Sequence, residues 1–198
     1  MRRSVATTLT GVFVLAPTVV LAHTGHGDSG GLVHGFTHPI TGLDHVLAMI
    51  AVGVLAAQLG GRALWLVPVS FLGVMVVGGA FGMAGVLLPF AELGVALSVI
   101  VFGLGIALPF RLRTLAVMTL VSLFALFHGH VHGHEMPVAT SAMYYTAGFV
   151  GATALLHAVG VGFGSLAGLV RTELGHSLVQ AAGGAMALFG VTVLTDLL

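Results

Sequence analysis

Apolar positions in this chain gather into long blocks instead of alternating with polar ones. After a first apolar run within residues 1–22, six further blocks occupy about 39–59, 64–85, 91–108, 114–134, 142–170 and 176–197. Each approaches the ~20 residues that a helix needs to cross a bilayer. The connections are short, at 60–62, 88–90, 109–113, 135–138 and 171–175, and leave no room for a soluble domain. The pattern predicts an all-α integral membrane protein, with six transmembrane helices after a cleavable signal peptide.

Residues 1–22 carry the signal-peptide pattern. Arg2 and Arg3 form a basic start, Leu9 to Val20 an apolar core, and Val20-Leu21-Ala22 a small-x-small cleavage site, with Pro17 breaking the helix just before it. An uncleaved first span is the alternative. Cleavage makes 23–198 the mature membrane domain and leaves its amino end, His23, outside the cytoplasm. The odd-numbered connections are then cytoplasmic. They hold Arg62, Arg111, Arg113 and Arg171, which are all the arginines beyond the signal peptide. That is the positive-inside distribution. It places both mature ends outside a bacterial cytoplasmic membrane.

Composition agrees. Of the 198 residues, 58% are hydrophobic and 6% charged, against about 25% charged in a soluble domain. Mean hydropathy is +1.14. The formal charge of zero argues against a nucleic-acid partner. With no cysteine there is no disulfide, thiolate site or cysteine nucleophile. Histidine is the exception, with eleven copies, most of them clustered.

Ionisable side chains inside apolar segments are costly and usually functional. The first cluster opens the first mature span. Pro39 suits a first helical position, which puts His38 at the mouth. His45 follows seven residues later, nearly two turns on, and so shares a face with His38. Asp44 points elsewhere, either as a ligand or to orient an imidazole from a neighbouring helix. The second cluster closes the fourth span. His128, His132 and Glu135 stand at i, i+4 and i+7 on one face, while His130 and His134 form a second i, i+4 pair on another. By the topology above, both clusters lie at the same depth on the external side, which predicts one shared site. The Gly-rich 23–31 segment, with His23 and His26, reads either as a loose metal-gathering tail or as a solvated one. His157 and His176 are isolated, with structural or ion-path roles equally open. Glu92 stands near the external start of the third span, where it can attract cations.

Imidazole with carboxylate suits divalent nickel, cobalt, zinc or copper, and the absence of cysteine argues against a copper(I) site. A transporter, a membrane metal sensor or enzyme, and a haem-binding electron-transfer protein all remain open at this point. No nucleotide-binding motif is present.

The sequences His38-Pro-x-x-Gly42-x-Asp44-His45 and Phe127-His128-Gly-His130-x-His132-Gly-x-Glu135 closely resemble the motifs of the HupE/UreJ family of nickel/cobalt permeases. Length, signal peptide and six spans are similar too. The resemblance implies a non-enzymatic permease that takes up Ni2+, with Co2+ as a second substrate, and has no prosthetic group. It implies metal-binding roles for His38, Asp44, His45, His128, His132 and Glu135, with His130 inside the second motif. It also implies service to nickel–iron hydrogenase or urease maturation. Zinc as substrate and a homo-oligomeric state stay open. A related transporter group carries His-x4-Asp-His; the spacing here is His38-x5-Asp44-His45, which sets this chain apart from it. His134 has no family interpretation.

Overall fold

The computed structural model describes residues 28–108, 113–169 and 173–198. The expected signal peptide, His23 and His26 lie outside them. Seven helices and no strand occur among the described residues: α1 (Asp28–Thr41), α2 (Leu43–Leu59), α3 (Ala63–Met83), α4 (Ala91–Ala107), α5 (Thr114–His134), α6 (Ala142–Leu169) and α7 (Glu173–Asp196).

Four segments are long and apolar enough to cross a membrane: Ala63–Met83, Thr114–His134, Ala142–Gly168 and Gly175–Asp196. The pair α1–α2, bent by 86°, makes a fifth when counted as one broken span. Helix α4 is apolar but has 17 residues, about 25 Å at the helical rise. The chain is a multi-pass membrane protein. Large apolar side chains such as Trp65, Val69, Leu115, Leu123 and Phe163 are exposed on its outside. They belong there only if lipid covers them, since water would penalise so much apolar surface.

The bundle is stitched by close helix pairs. Helices α3 and α5 run parallel with their backbones nearly touching: a Cβ on Gly129 would collide with the Met75 carbonyl, and one on Gly133 with that of Gly79. Gly78 and Gly82 play the same part on α3, against Leu126 and His130. Small residues of this kind are what bring membrane helices together without a hydrophobic driving force. Helices α2 and α6 also run parallel, with Gly53 against the His157 carbonyl and Gly160 against that of Ile50. Because α3 and α5 are parallel, Arg62 and Arg113, which precede them, lie at one end of the bundle. The starts of α2, α4 and α6 lie at the other end, together with the last turns of α5.

The span expected at 39–59 departs from expectation. Pro39 is not the first residue of its helix; it lies inside α1. The chain breaks at Gly42 (φ −90°, ψ 116°), and α2 starts at Leu43. His38 and His45 therefore sit on two helices, not on one face of a single helix. The expected polar tail is helical from Asp28 onward. Hydropathy gives α1 no signal because its order comes from packing on α6. A Cβ on Gly35 would overlap the Tyr145 carbonyl, and one on Gly148 the Leu32 carbonyl.

Candidate metal centre

The bend at Gly42 brings His38 and His45 to the same place from different directions. Asp44, in the first turn of α2, suits the positive end of the helix dipole. Its Oδ1 lies so near Gly42 that a Cβ there would stand 2.9 Å from it. The last two turns of α5, with Glu135 at their end, supply the opposite wall. The α3–α5 glycine seam fixes the register of that turn.

Two sets of three ligand atoms result, each set within 4.8 Å. The inner set is His45, His128 and His132, and the outer is His38, His132 and Glu135. His45 Nδ1 stands 3.0 Å from His128 Nδ1 and 2.9 Å from His132 Nε2. Three imidazole nitrogens about 2.1 Å from one divalent ion would be spaced about 3.0–3.4 Å apart. The two spacings to His45 Nδ1 are close to that already. A single proton on His45 Nδ1 satisfies one of its two contacts; a cation among the three nitrogens satisfies both.

In the outer set, His38 Nε2 and Glu135 Oε2 are 3.0 Å apart, and His132 Nδ1 is 3.4 Å from the same oxygen. The His132 and His38 side chains hold the Glu135 carboxyl down to about 2, against a partial burial that works the other way. Glu135 is an anion across the physiological range. His132 belongs to both sets, with Nε2 facing inward and Nδ1 outward.

The surrounding side chains set orientation. Ser98 on α4 is fully buried and donates its hydroxyl proton to the Val95 carbonyl at 2.6 Å. The same oxygen is 2.8 Å from His128 Nε2. Having spent its proton, Ser98 must accept one from His128 Nε2–H, which leaves His128 Nδ1 as a bare lone pair facing His45. That assignment of protons follows from the network. Tyr145 donates its hydroxyl to the His132 carbonyl at 3.2 Å. The Phe149 ring lies 5.6 Å from the His45 ring and 4.8 Å from that of His132.

The expected chelating face thus divides between the two sets, and His38 and His45 meet it from α1 and α2. Asp44 falls in neither set of three; it lines, with His38, His45, His132 and Glu135, a cavity of about 240 Å3 at the mouth. His130 turns away, its Nε2 2.6 Å from the Val86 carbonyl, where it donates a proton and ties α5 to the α3–α4 loop. His134 stacks on His130. Ser98, Tyr145 and Phe149 escaped the sequence reading. The signal for Ser98 was present, since it is the one hydroxyl residue in α4.

The model for "HupE / UreJ protein" matches residues 11–193. Protein HupE of Rhizobium leguminosarum bv. viciae is 44% identical over 195 residues, 98% of this chain and 99% of its own. No solved structure matches. With a match across nearly its whole length, the chain belongs to the HupE/UreJ family.

Proposed function

We propose that this protein is a permease that takes up divalent nickel, with cobalt as a second substrate, across the bacterial cytoplasmic membrane. Six spans follow a cleaved signal peptide, with α4 as the shortest and the histidine-bearing end outside. Membership of a transporter family supports this reading. One observation carries its mechanism: the two ring nitrogens of His132 face two different sets of ligands.

The ion is collected at the mouth by Asp44, Glu135 and His38, and the anionic Glu135 offsets its charge there. It passes inward by ligand exchange. His38 and Glu135 release while His45 and His128 engage, and rotation of the His132 ring keeps one imidazole bound throughout. Binding must be strong enough to strip part of the hydration shell and weak enough to let go. His128 is held with a bare Nδ1, so it joins without first losing a proton. Imidazole–carboxylate chemistry alone would favour copper over nickel, so selection rests on the geometry of the sets. Supply of nickel to hydrogenase or urease maturation is the physiological role this reading gives.

The test is radioactive nickel uptake into cells producing the protein, beside an Asp44→Ala variant, with cobalt and zinc as competitors. Accumulation that depends on Asp44 and is blocked by cobalt better than by zinc supports the reading. Equal accumulation by both proteins removes Asp44 from the path. Zinc as the better competitor makes zinc the substrate.

A further inference from the structure

Tyr145, Phe149, Thr153 and His157 recur every four residues along α6 and are all buried. Side chains at this spacing share a helix face. The first two touch the metal-binding sets: Tyr145 bonds the His132 carbonyl, and Phe149 packs on His45 and His132. The face then continues away from the mouth. Thr153 lies about 6 Å and His157 about 12 Å beyond Phe149 along the axis.

Thr153 and His157 are polar groups with nothing to bond. Thr153 is 0% and His157 1% exposed. The Thr153 hydroxyl and both ring nitrogens of His157 lack a hydrogen-bond partner. Buried polar groups are nearly always paired, and an orphan needs a reason. An apolar side chain in their place would cost the fold less. The His157 ring packs edge-on at 5.2 Å against Phe71, and Phe71 also lies 5.9 Å from the His128 ring. His157 is therefore one phenyl ring away from the inner set. Toward the arginine-bearing end the buried core turns apolar, with Val67, Val117, Val121 and Ile106.

We infer that His157, with Thr153 one turn above it, is a second station for the divalent metal ion, entered from the His45–His128–His132 set on the way across the membrane. The inference rests on the transport reading and extends it to a position outside both family motifs. Imidazole nitrogen and hydroxyl oxygen are fit ligands for a partly hydrated nickel or cobalt ion. A ligand pair this sparse binds weakly, as a transit position requires.

The chain has no cysteine, so a single introduced thiol reports on its own surroundings. The full-length His157→Cys protein is purified and titrated with Co2+ alone, beside the wild type. Binding to the histidine sets gives ligand-field absorption in both proteins. An ion that reaches the deep position adds thiolate-to-cobalt charge-transfer absorption in the variant only. That band is the expected result. Its absence while ligand-field absorption persists overturns the station. Absence of ligand-field absorption in the wild type overturns the metal-site reading beneath it.

A second variant covers a role in packing alone. His157→Phe keeps the volume and removes the nitrogens. It should keep the ligand-field absorption of Co2+ at the two histidine sets and lose nickel uptake by about tenfold or more. Uptake within about twofold of wild type shows His157 to be packing only.

Discussion

His38 and Glu135, 97 residues apart in sequence, meet at 3.0 Å. The contact exists because the chain breaks at Gly42 and turns α1 by 86° from the axis of α2. A continuous first helix would carry His38 away along its own axis. The outer ligand set is thus a product of one helix break.

The Ser98–His128 contact predicts an effect at a distance from the ion. Ser98→Ala removes the acceptor for His128 Nε2–H and frees the ring to take the other tautomer. Losing such an outer partner lowers metal affinity about 10- to 100-fold. Calorimetric nickel titration of the purified protein checks the affinity. Nitrogen chemical shifts of His128 check the tautomer, which should become mixed in the variant. Unchanged affinity and an unchanged tautomer would remove Ser98 from the account.

Glu135 carries a prediction about pH. Its carboxyl is held down to about 2, below the ordinary glutamate value of 4.5. A lowered value means the charged form is favoured in the folded protein. Its stabilising contribution is therefore complete above the ordinary glutamate value and fades as pH falls toward about 2. Infrared difference spectra of wild type minus Glu135→Gln should show no protonated-carboxyl band at about pH 4 or above. A band appearing near pH 5 would mean that His132 and His38 do not hold the carboxylate as described.

The α3–α5 seam makes a prediction about stability. Gly133→Ala places a methyl group against the Gly79 carbonyl. The helices must part, at a cost of about 1–3 kcal/mol for overpacking. The thermal midpoint in detergent should fall, and nickel affinity with it, because α5 and its C-cap Glu135 carry three of the candidate ligands. Gly184→Ala is the control, since nothing lies within 4 Å of that position. Equal midpoints for the two variants would contradict the seam.

Much of this fold was legible because a bilayer imposes its own length and polarity on a sequence. The expected block 114–134 coincides with α5, and the ends of α3 and α6 fall close to those expected. Helix α1 was hidden because its residues are mixed in polarity and its order comes from contacts with α6. The face of His128, His132 and Glu135 was legible from helical spacing. Spacing could not show that His130 is turned toward Val86, because that depends on where the α3–α4 loop passes. Ser98 needs a partner across two helices before it means anything, and a lone serine in an apolar helix more often bonds its own backbone.

The hand-over through His132 is the centre of the account. Its most direct test is radioactive nickel uptake by cells producing His132→Ala or His134→Ala protein at matched membrane levels. His132 alone faces both ligand sets, while His134 lies outside them. The account predicts a loss of about tenfold or more for His132→Ala and uptake within about twofold of wild type for His134→Ala. Undiminished uptake by His132→Ala, or a larger loss in His134→Ala, would contradict it.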